Sequence, residues 1–145
     1  MTAVAGDDED IVKHAPSAYV HGDWVDGFAF LPRPLPKDSD GSSVNRLRVL
    51  SEDDDEAMVS VRKLVRLKLR PSHRFAQIVV RDLRQCVAAL DLHLTVIASP
   101  LPAEDGHGRD PSHALIVGLP RPGVMDDLIG DLIRKKIKRV HPAVV

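Results

Sequence analysis

Aromatic residues are almost missing from this sequence: Tyr19, Trp24, Phe28, Phe30 and Phe75 are the whole complement in 145 positions. Single-stranded nucleic acid is commonly held by stacking bases on aromatic rings, so this poverty argues against such a platform. Cysteine is reduced to one, Cys86, which cannot close an internal disulfide and is compatible with a reducing compartment. Its neighbours, Val87, Ala88 and Leu90, suit a small buried hydrophobe rather than a reactive thiol. No apolar run reaches the roughly 18–20 residues that a membrane-spanning helix needs. The acidic start, MTAVAGDDED, lacks the basic-then-apolar layout of a signal peptide. An excess of one charge is lacking too: 20 Lys and Arg face 21 Asp and Glu, a net charge of −1. A strongly basic nucleic-acid-binding domain is thereby excluded, although a local patch is not. These absences lead us to expect a soluble, cytoplasmic protein with no membrane partner.

What is present is an ordinary globular mixture, 43% apolar and 28% charged, in a chain long enough to bury a core. Residues 1–18, with Asp7, Asp8, Glu9 and Asp10, are expected to be a mobile acidic tail, and 19–145 a single α+β domain. From Tyr19 to Phe30, aromatic and β-branched residues around Gly22 and Gly27 read as short strand pieces about a turn, with Trp24 a core or interface anchor. The prolines at 32, 34 and 36 lack the PxxP period and suit a stiff connector, and 37–43 is a turn cluster. A short strand is expected over 44–50.

Ser51 followed by Glu52, Asp53, Asp54, Asp55 and Glu56 is the clearest helix start, a capping hydroxyl with acidic groups at the positive end of the dipole. Ala57, Met58, Val61, Leu64 and Val65 then recur at helical spacing, predicting a helix over 52–68 closed before Pro71. A strand at 75–80, a helix at 81–90 and strands at 92–97 and 113–119 follow. Leu128, Ile129, Leu132, Ile133 and Ile137, with Val124 and Met125, trace a last amphipathic helix over 123–139. The fold class is therefore α+β: a small mixed sheet of about four to five short strands packed against two amphipathic helices.

Four groups of residues can carry chemistry. Asp105, His107, Asp110 and His113 lie within nine positions of a Gly/Pro loop; His107 and His113 are weak metal candidates, because H-x5-H matches no strong zinc spacing and no cysteine assists. His93-Leu94-Thr95 resembles one half of the pattern of two-histidine phosphoesterases, but neither His73 nor His113 supplies the second copy. Arg70, His73 and Arg74, with Arg46, Arg48 and Arg66, form a set able to grip phosphate. Arg134, Lys135, Lys136, Lys138 and Arg139 form a basic run on the exposed side of the last helix, suited to an anionic partner in a salt-sensitive way. Dipole matching and solubility explain most of these charges equally well.

No complete catalytic set assembles from these residues, whereas several contact surfaces do. The leading expectation is a small intracellular binding or accessory protein. It would act on a protein partner through Trp24, Phe28, Phe30, Arg134, Lys135 and Lys138, with no cofactor and with homo-oligomerisation open. Nucleic acid is an option that the net charge does not favour. The alternative is a phosphodiester- or nucleotide-acting enzyme using His73, His93 and His113 for proton transfer and Arg46 and Arg74 against developing negative charge.

Overall fold

A six-stranded sheet, antiparallel at every pairing, organises the chain. The computed structural model describes residues 3–33, 41–121, 123 and 125–145. Spatial order is β6-β7-β4-β1-β5-β8, built from β1 (Asp10–Ala15), β4 (Ser42–Arg46), β5 (Arg74–Val79), β6 (Thr95–Ala98), β7 (His113–Val117) and β8 (Arg139–Pro142). A two-stranded ribbon, β2 (Val20–His21) with β3 (Trp24–Val25), stands apart. The α+β expectation is met, with six strands rather than four or five, an antiparallel rather than mixed sheet, and three longer helices rather than two: α2 (Asp54–Leu64), α3 (Val80–Ala88) and α4 (Asp126–Arg134). No helix among the described residues is long and apolar enough to cross a membrane.

The segment expected as a mobile tail contains the strand that holds the sheet together. β1 pairs β5 along its whole length and β4 over Ile11↔Arg46 and Val12↔Asn45. A central strand is covered on both faces, so Ile11 and Val12 are both fully buried, and the alternation that marks a half-exposed strand is lost. Glu9 anchors its start. Burial raises the Glu9 carboxyl, but two hydrogen bonds from Arg46 (3.0 and 2.9 Å) and one from the Gly6 N–H outweigh that and leave it below its usual value.

Ile11, Ala15, Val44, Ala76, Ile78, Ala114 and Ile116 face the larger core, where Leu83 and Val87 of α3, Ile129 and Ile133 of α4, and Phe30 close over them. Val12 and Phe75 face the other way, against Met58 and Val61 of α2 and Leu47 of α1, a single turn over Leu47–Leu50. That turn takes 47–50 out of the 44–50 stretch read as a strand, and only 44–46 belong to β4. α2 starts as the acidic block requires, with a different cap: Asp53 accepts from the Glu56 N–H (3.0 Å), and Ser51 Oγ accepts from the Asp53 N–H (3.1 Å).

Two helix ends fall earlier than the apolar stripes predict. α2 stops at Leu64 because Val65 is extended and the following Arg66 is tied elsewhere. α4 stops at Arg134, and the Lys138 N–H donates to the Gln77 carbonyl (2.7 Å), drawing 139–142 into the sheet edge as β8. The basic run is thus not one helical face. Arg134 and Lys135 pair with Asp131, Lys138 with Asp10, and Arg139 with Asp55. Pro34, Pro36, residues 37–40 and Val124 lie outside the described residues.

A close contact fixes the remaining segment. Residues Gly27–Phe30 form a 3-10 turn, opened by Asp26, whose carboxylate accepts from the Phe28 N–H (2.9 Å). A Cβ at Gly27 would lie 2.0 Å from the Gly130 carbonyl oxygen of α4, so this backbone approach requires glycine.

Candidate functional site: a cleft at the split between β1 and β4

The β1–β4 ladder ends at Val12↔Asn45, and beyond it the two strands part while β1 stays paired to β5 through Ala15. Lys13 Nζ donates to the Ser43 carbonyl (2.9 Å) in the gap. A cleft of about 660 Å³ opens there, lined by both Lys13 and His14. Successive strand residues point to opposite faces, so a cavity touching both lies along the strand's edge.

The cleft has a polar floor and apolar walls. Ser43 and Asn45 of β4, His113 of β7 and the buried Asp110 make the floor. Tyr19, Phe28 and Leu31 form one wall, and Val65, Leu67 and Leu101 the other. The early end of α2 is what releases Val65 and Leu67 into that wall. Arg66 secures the same side: it pairs with Glu104 (3.1 Å) and donates to the Pro102 and Gly108 carbonyls, clipping the 101–110 loop to the end of α2.

Among the described residues Asp110 carries no ion pair, and its carboxylate is satisfied by hydrogen bonds. Oδ1 accepts from the Ser112 N–H (3.0 Å) and hydroxyl (2.7 Å), and Oδ2 from the Asn45 amide (3.1 Å). This Asx-type turn sets the start of β7 and hence the position of His113. His113 Nδ1 lies 2.7 Å from the Ser99 carbonyl oxygen, which can only accept, so Nδ1 carries the proton. Nε2 is then an acceptor in the neutral ring, and the Ser43 hydroxyl at 3.2 Å donates to it.

His14 Nε2 meets His73 Nδ1 at 3.0 Å, with the rings edge to face. Two neutral imidazoles in that position share one proton, one ring donating and the other accepting. A second proton would set two N–H groups against each other. Burial first, then the neighbouring His73, Lys13 and Arg33, push the His14 imidazole down to about 4. Lys13 and Arg33 thus both lie close enough to His14 to act on it electrostatically.

The residues singled out from sequence fall in several places. Of His73, His93, His113, Arg46 and Arg74, His113 alone lines the cleft, while His73 sits behind His14. His93 is exposed beside Asp91 and borders a separate depression with Arg81 and Arg84. Arg46 is occupied by Glu9, and Arg74 donates to the Pro71 and His73 carbonyls. Asp105 and His107 lie at the exposed end of the 101–110 loop, where His107 bridges to Glu104. Among the described residues, no three His, Cys, Asp or Glu side chains converge as metal ligands.

Of the aromatic set, Phe30 is fully buried in the larger core and unavailable for contact, whereas Phe28 lines the cleft. Trp24 is not a core residue: 45% exposed, it stacks on His21 (4.4 Å) with the Arg134 guanidinium 5.1 Å from its ring. Sequence reasoning missed Lys13, His14 and Ser43, the first two because they fall in the supposed tail. The one signal available was Ile11-Val12 beside Ala15, an apolar trio inside an otherwise polar start. Comparison of the chain with protein-family models, with curated proteins and with solved structures finds no match.

Proposed function

We infer that this is a binding protein that takes a small amphipathic anion into the β1–β4 cleft. The observation that carries the reading is the pairing of apolar walls with Lys13, His14 and Arg33 at one end of a cavity of about 660 Å³. That volume suits a small organic molecule, and a few polar groups in an apolar enclosure fix a ligand's orientation. An anionic head beside Lys13 and Arg33 would be held electrostatically, and an apolar body would cover Tyr19, Phe28 and Leu31.

Two dyes test this directly. 8-Anilinonaphthalene-1-sulfonate and the uncharged N-phenyl-1-naphthylamine share an apolar body and differ in the anionic group. Calorimetric titration should give at least about tenfold tighter binding of the sulfonate, a difference of about 1.4 kcal/mol. The preference should shrink in Lys13→Ala. Equal affinity for the two dyes, or none for either, would sink the reading.

A second reading keeps a protein partner. The exposed Trp24, held between His21 and Arg134, has the residue types that dominate interface energetics. A second copy of this chain is the simplest occupant. Sedimentation of the full chain and of Trp24→Ala across a concentration series decides it: an oligomer that dissociates in the variant supports the reading, and a monomer throughout removes it.

A further inference from the structure

We propose that Ser43 and His113 form a nucleophile–base pair, making the cleft a site of carboxylic-ester cleavage. The proposal rests on the cleft being a ligand site, and adds a reaction to it. Three observations support it. The Ser43 hydroxyl lies 3.2 Å from His113 Nε2, and both residues line the same cleft. The Ser99 carbonyl, 2.7 Å from Nδ1, fixes the tautomer whose Nε2 is free of a proton and able to take one. Lys13 Nζ is held 2.9 Å from Ser43's own carbonyl oxygen, and Lys13 lines the same cleft.

A nucleophile, a base within reach of it, and a third group that orients the base are the parts such a centre requires. They arise here from sheet geometry. His113 is the register partner of Asn45, and Ser43 is its diagonal neighbour on the adjacent strand. The Asp110–Ser112 turn fixes where β7 begins, and with it the height of the imidazole over β4.

The step balances without any further reactant than water. Ser43 Oγ attacks the ester carbonyl carbon as its proton passes to His113 Nε2, and negative charge develops on the carbonyl oxygen within the cleft that Lys13 also lines. The C–O bond to the leaving alkoxide breaks, and the proton on Nε2 goes to that oxygen, releasing the alcohol. Water then attacks the acyl–Ser43 ester, giving its proton to Nε2. The Ser43–acyl bond breaks, the proton returns to Oγ, and the carboxylic acid leaves. Asp110 takes no part, since its oxygens are occupied by Ser112 and Asn45. His14 and His73 are hydrogen-bonded to each other (3.0 Å) and are given no part in this transfer.

The full chain is incubated with an alkyl fluorophosphonate, which phosphonylates an activated serine with loss of fluoride, and the adduct is located by peptide mass. Hydrolysis of p-nitrophenyl butyrate is followed in parallel. Expected are one adduct, on Ser43, and ester hydrolysis that falls ~10²-fold or more in Ser43→Ala and in His113→Gln. Because His113 also supports β7, a readout independent of turnover is added: in Ser43→Cys the thiol should react with iodoacetamide at least about tenfold faster than in Ser43→Cys/His113→Gln. An unlabelled Ser43, or equal alkylation rates in the two cysteine variants, overturns the proposal. If the naphthalenesulfonate still binds, the ligand-binding reading survives that failure; if it does not, both fall together.

Discussion

On the side of the sheet facing α2, two halves of one surface meet contrasting fates. Under α2, Val12 and Phe75 are sealed by Met58 and Val61, and the polar groups at the margin are spent on one another. Gln77 illustrates this: its amide donates to Asp10 and to Asp54 (2.9 Å), and its oxygen accepts from His141 Nε2 (2.7 Å). Beyond the split, Ser43, His113 and Leu115 belong to the same surface, yet α2 has already ended and the 101–110 loop only rims the opening. One half is therefore structural and dry, while the other keeps polar side chains that face a cavity. The difference comes from a helix that is shorter than its apolar stripe, together with a β1–β4 ladder that stops at Val12↔Asn45.

The contrast can be broken first on the dry side. Met58→Ala removes a fully buried side chain from the smaller core and should cost about 3 kcal/mol in urea unfolding, with affinity for the naphthalenesulfonate nearly unchanged. If binding fell in step with stability, the two halves would not be independent.

Acid should loosen the boundary next. The His14 value of about 4 lies below the 6.5 of an unfolded chain, so the unfolded state takes up protons first as pH falls. Stability from this group is complete above about pH 6.5, declines as pH drops through the window, and is lost below about 4. The slope should total about 2 kcal/mol, less than the full shift because the ring is partly open to solvent. His141 is depressed in the same direction, by burial first and then by Arg139 and Arg62, so His14→Gln should flatten the pH–stability curve only in part. An unaltered curve would deny His14 its role.

On the open side, Lys13→Ala should weaken the sulfonate dye about tenfold, equivalent to about 1.4 kcal/mol, and leave the uncharged dye unaffected. The smallest effect is expected for Leu115→Ala, which trims a half-buried residue of the open half. A loss of about 1 kcal/mol or less in the same urea assay would sharpen the contrast with Met58. A loss as large as that for Met58→Ala would erase it.

Much of the scaffold was legible because it obeys simple periods. The α2 start, β5, α3 and β7 sit where capping, alternation and helical spacing place them. β1 was hidden for the opposite reason: buried on both faces, DIVKHA shows no alternation, and the acidic residues before it resemble a solvated tail. β8 was hidden because Ile137 continues the stripe of α4, and only the long-range bond from Lys138 to Gln77 decides between helix and strand. The cleft was the least legible part. It depends on where a ladder stops and on a pairing between residues 43 and 113, neither of which leaves a local trace.

The contact of Gly27 with Gly130 has a kinetic consequence for whatever enters that cleft. Phe28 stands next to Gly27, so one wall is pinned to a helix on the far side of the sheet. A wall set in advance loses little freedom when a ligand arrives. Association should therefore follow a single exponential whose rate grows in proportion to ligand concentration, without the plateau that a slow rearrangement of the site would impose.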